Sequence, residues 1–141
     1  MYLLLCKNGS IFSILLRFLL WSRWSHSAMY DEHTDMVWES TFLGRGVKRM
    51  PFDEWVQRYP YHVLRATTIT DIGGCRKWLD EQVGKPYDWK ALVGFVFRST
   101  WQDEGAWFCS ELTEKAISLF GTPRFRASAH RITPYHQQIA A

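Results

Sequence analysis

Apolar residues recur at helical spacing over Phe12, Leu15, Leu16 and Leu19, directly after Ser10, whose hydroxyl can cap a helix N-terminus. Ile11, Ile14 and Phe18 are apolar as well, so the pattern predicts a helix buried on most sides. Ser25–Tyr30 and Met36–Thr41 can both be extended, and the polar run Asp31-Glu32-His33-Thr34-Asp35 between them predicts a hairpin. Phe42 to Tyr59 reads as loops with a short helix around Phe52-Asp53-Glu54-Trp55. His62 to Thr68, rich in Val, Leu and Thr, reads as a strand.

Asp71 is a good N-cap for a helix with Ile72, Cys75, Leu79 and Val83 on one side, ended by Gly84 and Pro86. A short helix is expected from Trp89 to Phe97. Another begins near Cys109, shows Leu112, Ala116, Leu119 and Phe120, and stops at Gly121 and Pro123. Ile132-Thr133 suggests a last strand before a polar tail of about 135–141. Strands and helices fall in separate stretches, which predicts the α+β class and a single domain over residues 1–141.

Composition narrows the functional classes. With 47% hydrophobic and 22% charged residues in 141, the chain is globular and not disordered. Aromatics reach 16%, enough to fill a core with few side chains. A net charge of +3 is too weak to argue for nucleic acid, and the scattered tryptophans form no base-stacking platform. The apolar stretch Ile11–Trp21 is interrupted by Arg17 and falls short of the roughly 20 residues of a membrane span. It has no basic lead and no small-x-small cleavage site, so neither a signal peptide nor stable membrane insertion is expected, and the default compartment is the cytoplasm. Three cysteines without a CxxC argue for reduced thiols and against a cysteine-rich zinc site. No metal and no cofactor is expected, and the oligomeric state stays open.

The chemistry gathers on His26, Glu39 and Cys109. A hairpin centred on Glu32-His33 puts His26 directly opposite Glu39, Ala28 opposite Val37 and Tyr30 opposite Asp35. A carboxylate there can hold one imidazole nitrogen and leave the other free as a base. Cys109, at a helix start, feels unpaired N–H groups and the positive end of the dipole, which favour the thiolate. Glu111 opposes this if it faces the sulfur. Taken singly, each residue has an ordinary reading: a buried apolar Cys, a structural His, a solvated edge carboxylate. Cys75 follows Gly73-Gly74 but falls on an apolar stripe and reads as core. Ser110 lacks a G-x-S-x-G elbow. The acidic loop of Asp31, Glu32, His33 and Asp35 lacks the calcium-loop pattern, and His130 and His136 lack metal spacing. Arg45, Lys48 and Arg49, and Arg124, Arg126 and Arg131, read as solvated basic clusters that can also meet a carboxylate or phosphate.

Four segments carry a family resemblance. Trp24-Ser25-His26-Ser27-Ala28-Met29, Val37-Trp38-Glu39-Ser40, Val83-Gly84-Lys85-Pro86-Tyr87-Asp88 and Phe108-Cys109-Ser110-Glu111-Leu112 resemble successive motifs of the circularly permuted NlpC-type papain-like cysteine peptidases, the YaeF/YiiX-like amidases. More distantly they resemble lecithin:retinol acyltransferase-like enzymes. The similarity runs from about Ile11 to Pro134. It implies a permuted papain-like fold, with a small antiparallel sheet or barrel packed against helices. It implies Cys109 as nucleophile, His26 as general base and acid, and Glu39 as the orienting group. Tyr87, Ser25 and Ser110 become candidate substrate-binding residues. The family's opening strand is expected to be absent or reduced to Leu3-Leu4-Leu5-Cys6, and Arg98 to Ala106 to form a lid.

The implied activity is a cysteine peptidase or amidase that cleaves an amide in a peptide or peptide-like substrate, cell-wall peptides among them. Two other readings stay open: a thiol acyltransferase or hydrolase acting on lipid acyl groups, and a non-catalytic binding domain of the same fold.

Overall fold

The computed structural model describes residues 1–19, 21–90, 105–126 and 132–140. In chain order they form β1 (Tyr2–Lys7), α1 (Ile11–Leu19), β2 (His26–Asp31), β3 (Met36–Thr41), β4 (Gly46–Pro51), α2 (Phe52–Arg58), β5 (Tyr61–Ala66), α3 (Ile72–Gln82), α4 (Cys109–Phe120) and α5 (Pro134–Ile139). The strands make one antiparallel sheet in the order β4-β3-β2-β1-β5. The α+β class and the antiparallel sheet are as expected from the sequence. The sheet is open, with β4 and β5 at its edges, and not a closed barrel.

The largest difference from expectation is β1. Leu3, Leu4, Leu5 and Cys6 are all fully buried, and this strand is not vestigial: it pairs with β2 on one side and β5 on the other. Its unbroken apolar run follows from burial on both faces. Leu3 and Leu5 meet Met29, Trp38, Cys75, Leu79, Leu112 and Ile117 beneath α3 and α4. Leu4 and Cys6 meet Ala28, Val37, Met50 and Trp55 beneath α2. Helices therefore cover both faces of the sheet. A strand buried on both sides loses the period-two alternation that would have marked it as a strand.

The edge strand β4 was also not expected. Val47 and Met50 are buried while Lys48 and Arg49 are exposed, a short pattern that two adjacent cations disguise. Its partner beyond β3 is a loop: Val47 N–H donates to Lys85 O at 2.9 Å, and Gly84 N–H donates to Val47 O at 3.0 Å. Gly46, at φ +129°, lies where a Cβ would sit 2.0 Å from Lys85 O. Only glycine admits that approach.

Several boundaries and burials shift. The fifth strand occupies Tyr61–Ala66 instead of His62–Thr68. Ile132-Thr133 is not a strand: Thr133 is the N-cap of α5, whose Gln137 is fully buried, so the expected polar tail is a docked helix. In α4, Ile117 is buried and Leu119 is about half exposed. The helix expected over Trp89 to Phe97 and the lid segment Arg98 to Ala106 lie mostly outside the described residues. Asp71 does cap α3, its carboxylate accepting from Gly74 N–H at 2.8 Å. Ser10 does cap α1, accepting from Ser13 N–H at 3.1 Å. The burial of α1 is the reverse of expectation, because only Ser13 and Leu16 are buried.

Candidate functional site

The site lies where β2 begins and β3 finishes. Ser25 N–H donates to Cys6 O at 3.1 Å, which fixes the entry into β2. His26 is then the first residue of that strand and pairs with Cys6 of β1. Across the hairpin, Ala28 stands opposite Glu39, Tyr30 opposite Val37 and Asp31 opposite Met36. The expected direct pairing of His26 with Glu39 is therefore wrong by two residues. A slip of two keeps every side chain on its face, whereas a slip of one would have separated the pair. His26 reaches Glu39 along the diagonal, and His26 Nε2 lies 2.8 Å from Glu39 Oε2.

Glu39 is 2% exposed and rests under α2. Its Oε2 also accepts from the indole N–H of Trp55 at 2.9 Å. Four residues along, Tyr59 stacks its ring on His26 with centroids 5.1 Å apart. Trp55 of α2 and Tyr59, the residue that ends it, thus hold the carboxylate and the imidazole. Neither was singled out in the sequence, although their i,i+4 spacing is visible there.

Cys109 arrives from the other side of the sheet. Helix α4 lies along the face that carries Ser27, whose hydroxyl is 3.4 Å from Thr113 Oγ1. Just ahead of the helix, Trp107 is pinned. Its N–H donates to Pro86 O at 3.0 Å, and its carbonyl accepts from Asp88 N–H at 3.2 Å and from the Ser40 hydroxyl at 2.6 Å. The first turn of α4 therefore begins at a fixed point, and Cys109 lines the cleft there. The His26 imidazole and the Cys109 side chain line the same cleft. Nε2 is taken by Glu39, so Nδ1 is the ring nitrogen not engaged by that carboxylate.

Burial pushes the His26 imidazole down, but the hydrogen bonds and charges of Cys109 and Glu39 more than offset it and hold the ring well above its ordinary value, at about 10. Burial works against ionisation of Glu39, yet its bonds to His26 and Trp55 keep the carboxyl below the ordinary range. The favoured state is an imidazolium held by a carboxylate. Glu111 turns back to the N-cap, its carboxylate accepting from Phe108 N–H at 3.5 Å. Burial, with a contribution from Asp88, raises it to about 7.

A cleft of about 330 Å³ opens above these groups, and His26, Glu39, Tyr59, Tyr87, Ser25 and Cys109 all line it. One wall is apolar, from Phe12 and Leu16 of α1 and from Phe42 and Leu43 of the β3–β4 turn. Asn8, Ser10 and Ser13 supply polar groups, and Lys48 and Arg58 supply positive charge. Tyr87 is held between Phe42 and Phe108, at 5.9 and 5.7 Å between ring centroids. Burial raises its hydroxyl far above the usual tyrosine range.

Of the residues singled out in the sequence, Cys109, His26, Glu39, Tyr87 and Ser25 come together here. Ser25 is tied by its hydroxyl to Ser13 at 2.7 Å, which joins β2 to α1. Ser110 does not join them: it is fully buried, donates to Ile132 O and is not part of the cleft wall. Cys75 lies in the core with Leu79, its thiol pushed up to about 12 by burial. Cys6 was not expected near the site. It sits beside His26, its thiol 3.7 Å from His26 O, and burial raises it well above the ordinary value.

Other polar groups are tied elsewhere. Asp31 is fully buried and accepts from Thr34 and Arg76, both at 2.8 Å. Arg124 pairs with Glu114, and Arg49 lies 3.6 Å from Asp80. His136 Nδ1 bonds the Thr133 hydroxyl at 2.9 Å and so caps α5. His130 and Arg131 lie outside the described residues. Among the described residues no group of three His, Cys, Asp or Glu is placed to hold a metal, and no helix is long and apolar enough to cross a membrane. No family model, curated protein or solved structure matches this chain.

Proposed function

We propose that this protein is a cysteine hydrolase of permuted papain-like type, in which Cys109 attacks a carbonyl carbon. The observation that carries this reading is a His26 imidazole held by the buried Glu39 carboxylate in the same open cleft that Cys109 lines. Sulfur, imidazole and carboxylate are each placed by a different element, and the imidazole–carboxylate contact is one that nucleophilic catalysis uses.

In this mechanism His26 already holds the thiol proton at Nδ1 as an imidazolium, which Glu39 stabilises through Nε2. The thiolate adds to the carbonyl carbon and the carbonyl π electrons move to oxygen. Backbone N–H groups of the first turn of α4, which have no partner within the helix, face the developing oxyanion. Collapse of the intermediate breaks the bond to the leaving group, which takes the proton from His26. Water, deprotonated by His26, then releases the acyl group from sulfur. An amide in a peptide or peptide-like substrate is the first assignment, because the polar wall of Asn8, Ser10 and Ser25 can bind backbone amides.

A second reading keeps the nucleophile and changes the substrate to a lipid acyl ester or amide. Phe12, Leu16, Phe42 and Leu43 favour it, since they give the cleft an apolar wall suited to an acyl chain. A carboxylate-held imidazole in the cleft that Cys109 lines counts against a purely binding domain, which would not require it.

The test is competitive alkylation. Iodoacetamide at neutral pH is expected to modify Cys109 at least tenfold faster than Cys6 or Cys75, with loss of that label in Cys109→Ala. Equal rates at all three thiols would sink the proposal.

A further inference from the structure

Helix α1 wears its apolar face outward. Ile11, Ile14, Leu15 and Phe18 follow the i, i+3, i+4, i+7 spacing that normally marks the core side of a helix. They are 86%, 51%, 49% and 76% exposed, while the side facing the protein carries Ser13 and Leu16. The patch continues past the helix. Trp21 is 87% exposed and takes the left-handed conformation, φ 49°, where glycine is favoured. That conformation closes α1: Trp21 N–H donates to Phe18 O at 3.3 Å and Ser22 N–H to Arg17 O at 3.0 Å. The stack of Phe12 on Phe42, at 5.5 Å, brings the β3–β4 turn alongside, and Leu43 on that turn is 78% exposed.

Charge says what covers this face. Lys7, Arg17 and Arg23 flank α1, and Arg45 and Lys48 flank the turn. Residues 1–30 contain no Asp or Glu, and from residue 36 through Phe52 the one acid is Glu39, which is buried. An apolar stripe with an exposed Trp, flanked by cations that make no ion pair among the described residues, matches a negatively charged lipid interface. A second copy of the same surface would set these cations against each other.

We propose that α1 and the β3–β4 turn dock this protein on the surface of an anionic bilayer, with Ile11, Ile14, Leu15, Phe18, Trp21 and Leu43 entering the interface. α1 lies in the plane of the membrane and does not cross it. Because Phe12, Leu16, Phe42 and Leu43 also line the cleft, the docked face is the rim of the cleft itself. The docking is independent of what Cys109 does once there.

Co-sedimentation tests it. The full chain is mixed with vesicles of phosphatidylcholine alone or with one-third phosphatidylglycerol. Binding is expected with the anionic vesicles and is expected to weaken in 0.5 M salt. Leu15→Ser/Phe18→Ser, at positions outside the cleft, is expected to bind at least tenfold more weakly. Arg23→Gln/Arg45→Gln is expected to lose roughly fivefold per charge on the anionic vesicles only. Thermal unfolding like wild type shows that each variant is folded. Cys109→Ala is expected to bind as the parent does, which separates failure of docking from failure of the chemistry. The proposal is overturned by absence of binding, by retained binding in Leu15→Ser/Phe18→Ser, or by a wild-type dimer that the same double substitution converts to monomer.

Discussion

One oxygen of Glu39 holds His26. The 2.8 Å contact between Glu39 Oε2 and His26 Nε2 sits deep in the protein, and the same oxygen takes the Trp55 indole proton at 2.9 Å. Two donors on one buried oxygen leave the carboxylate little freedom. The imidazole it holds is fixed in tautomer and in plane, with Tyr59 against its face. In the proposed reaction Glu39 acts on the sulfur only through this imidazole.

Glu39→Gln removes the charge and keeps the shape. The Gln amide cannot stabilise an imidazolium, so the His26 proton is released at lower pH. Alkylation of Cys109 at pH 7 is expected to slow about tenfold or more, the worth of a charge-assisted hydrogen bond. The pH profile of alkylation is expected to move with it. An unchanged profile would show that Glu39 plays no part in tuning the sulfur.

Trp55→Phe keeps the ring in the core and deletes one donor to Glu39. Leaving a buried charged acceptor one bond short is expected to destabilise the fold by about 1–3 kcal/mol, read from urea unfolding. Trp55→Ala, which also opens a cavity beside Ala28 and Met50, is expected to cost more, about 3–5 kcal/mol.

Stability should depend on pH through His26. The folded protein holds the imidazole proton up to about pH 10, the unfolded chain only to about 6.5. The stabilisation is therefore fully present below pH 6.5 and is lost as pH rises toward 10. Urea midpoints of wild type are expected to fall more steeply between pH 6.5 and 10 than those of His26→Gln. Parallel slopes would rule out a stabilising imidazolium.

Glu111 runs the other way. Its carboxyl keeps a proton to about pH 7 when folded, against 4.5 when unfolded, so its burial destabilises the protein progressively from pH 4.5 to 7. Glu111→Gln can still accept from Phe108 N–H. It is expected to match wild type at pH 4 and to exceed it at pH 8 by on the order of 2–3 kcal/mol in urea unfolding.

Gly46→Ala probes how the sheet edge positions the Tyr87 loop. The added Cβ meets the Lys85 carbonyl in a conformation that L-residues avoid. The variant is expected to lose about 3 kcal/mol or more and to expose Tyr87 to solvent, seen as a lower pH for tyrosinate formation by ultraviolet difference spectroscopy.

The chain by itself determined the elements whose pattern is local. Asp71 and Ser10 announce helix starts, Gly121 a helix end, and the polar run Asp31–Asp35 a hairpin, because caps and turns use neighbours in sequence. It also determined that His26 and Glu39 share a face, since strand alternation survives a two-residue error in register. The tertiary structure alone decided the rest. Leu3–Cys6 becomes the central strand because helices cover both faces of the sheet, which erases the alternation that would mark a strand. Trp55 and Tyr59 join the site because α2 folds back over β2 and β3. The stripe on α1 faces outward because the inner side of that helix is engaged through Ser13 and Leu16, and periodicity fixes which residues share a face without fixing which way that face looks.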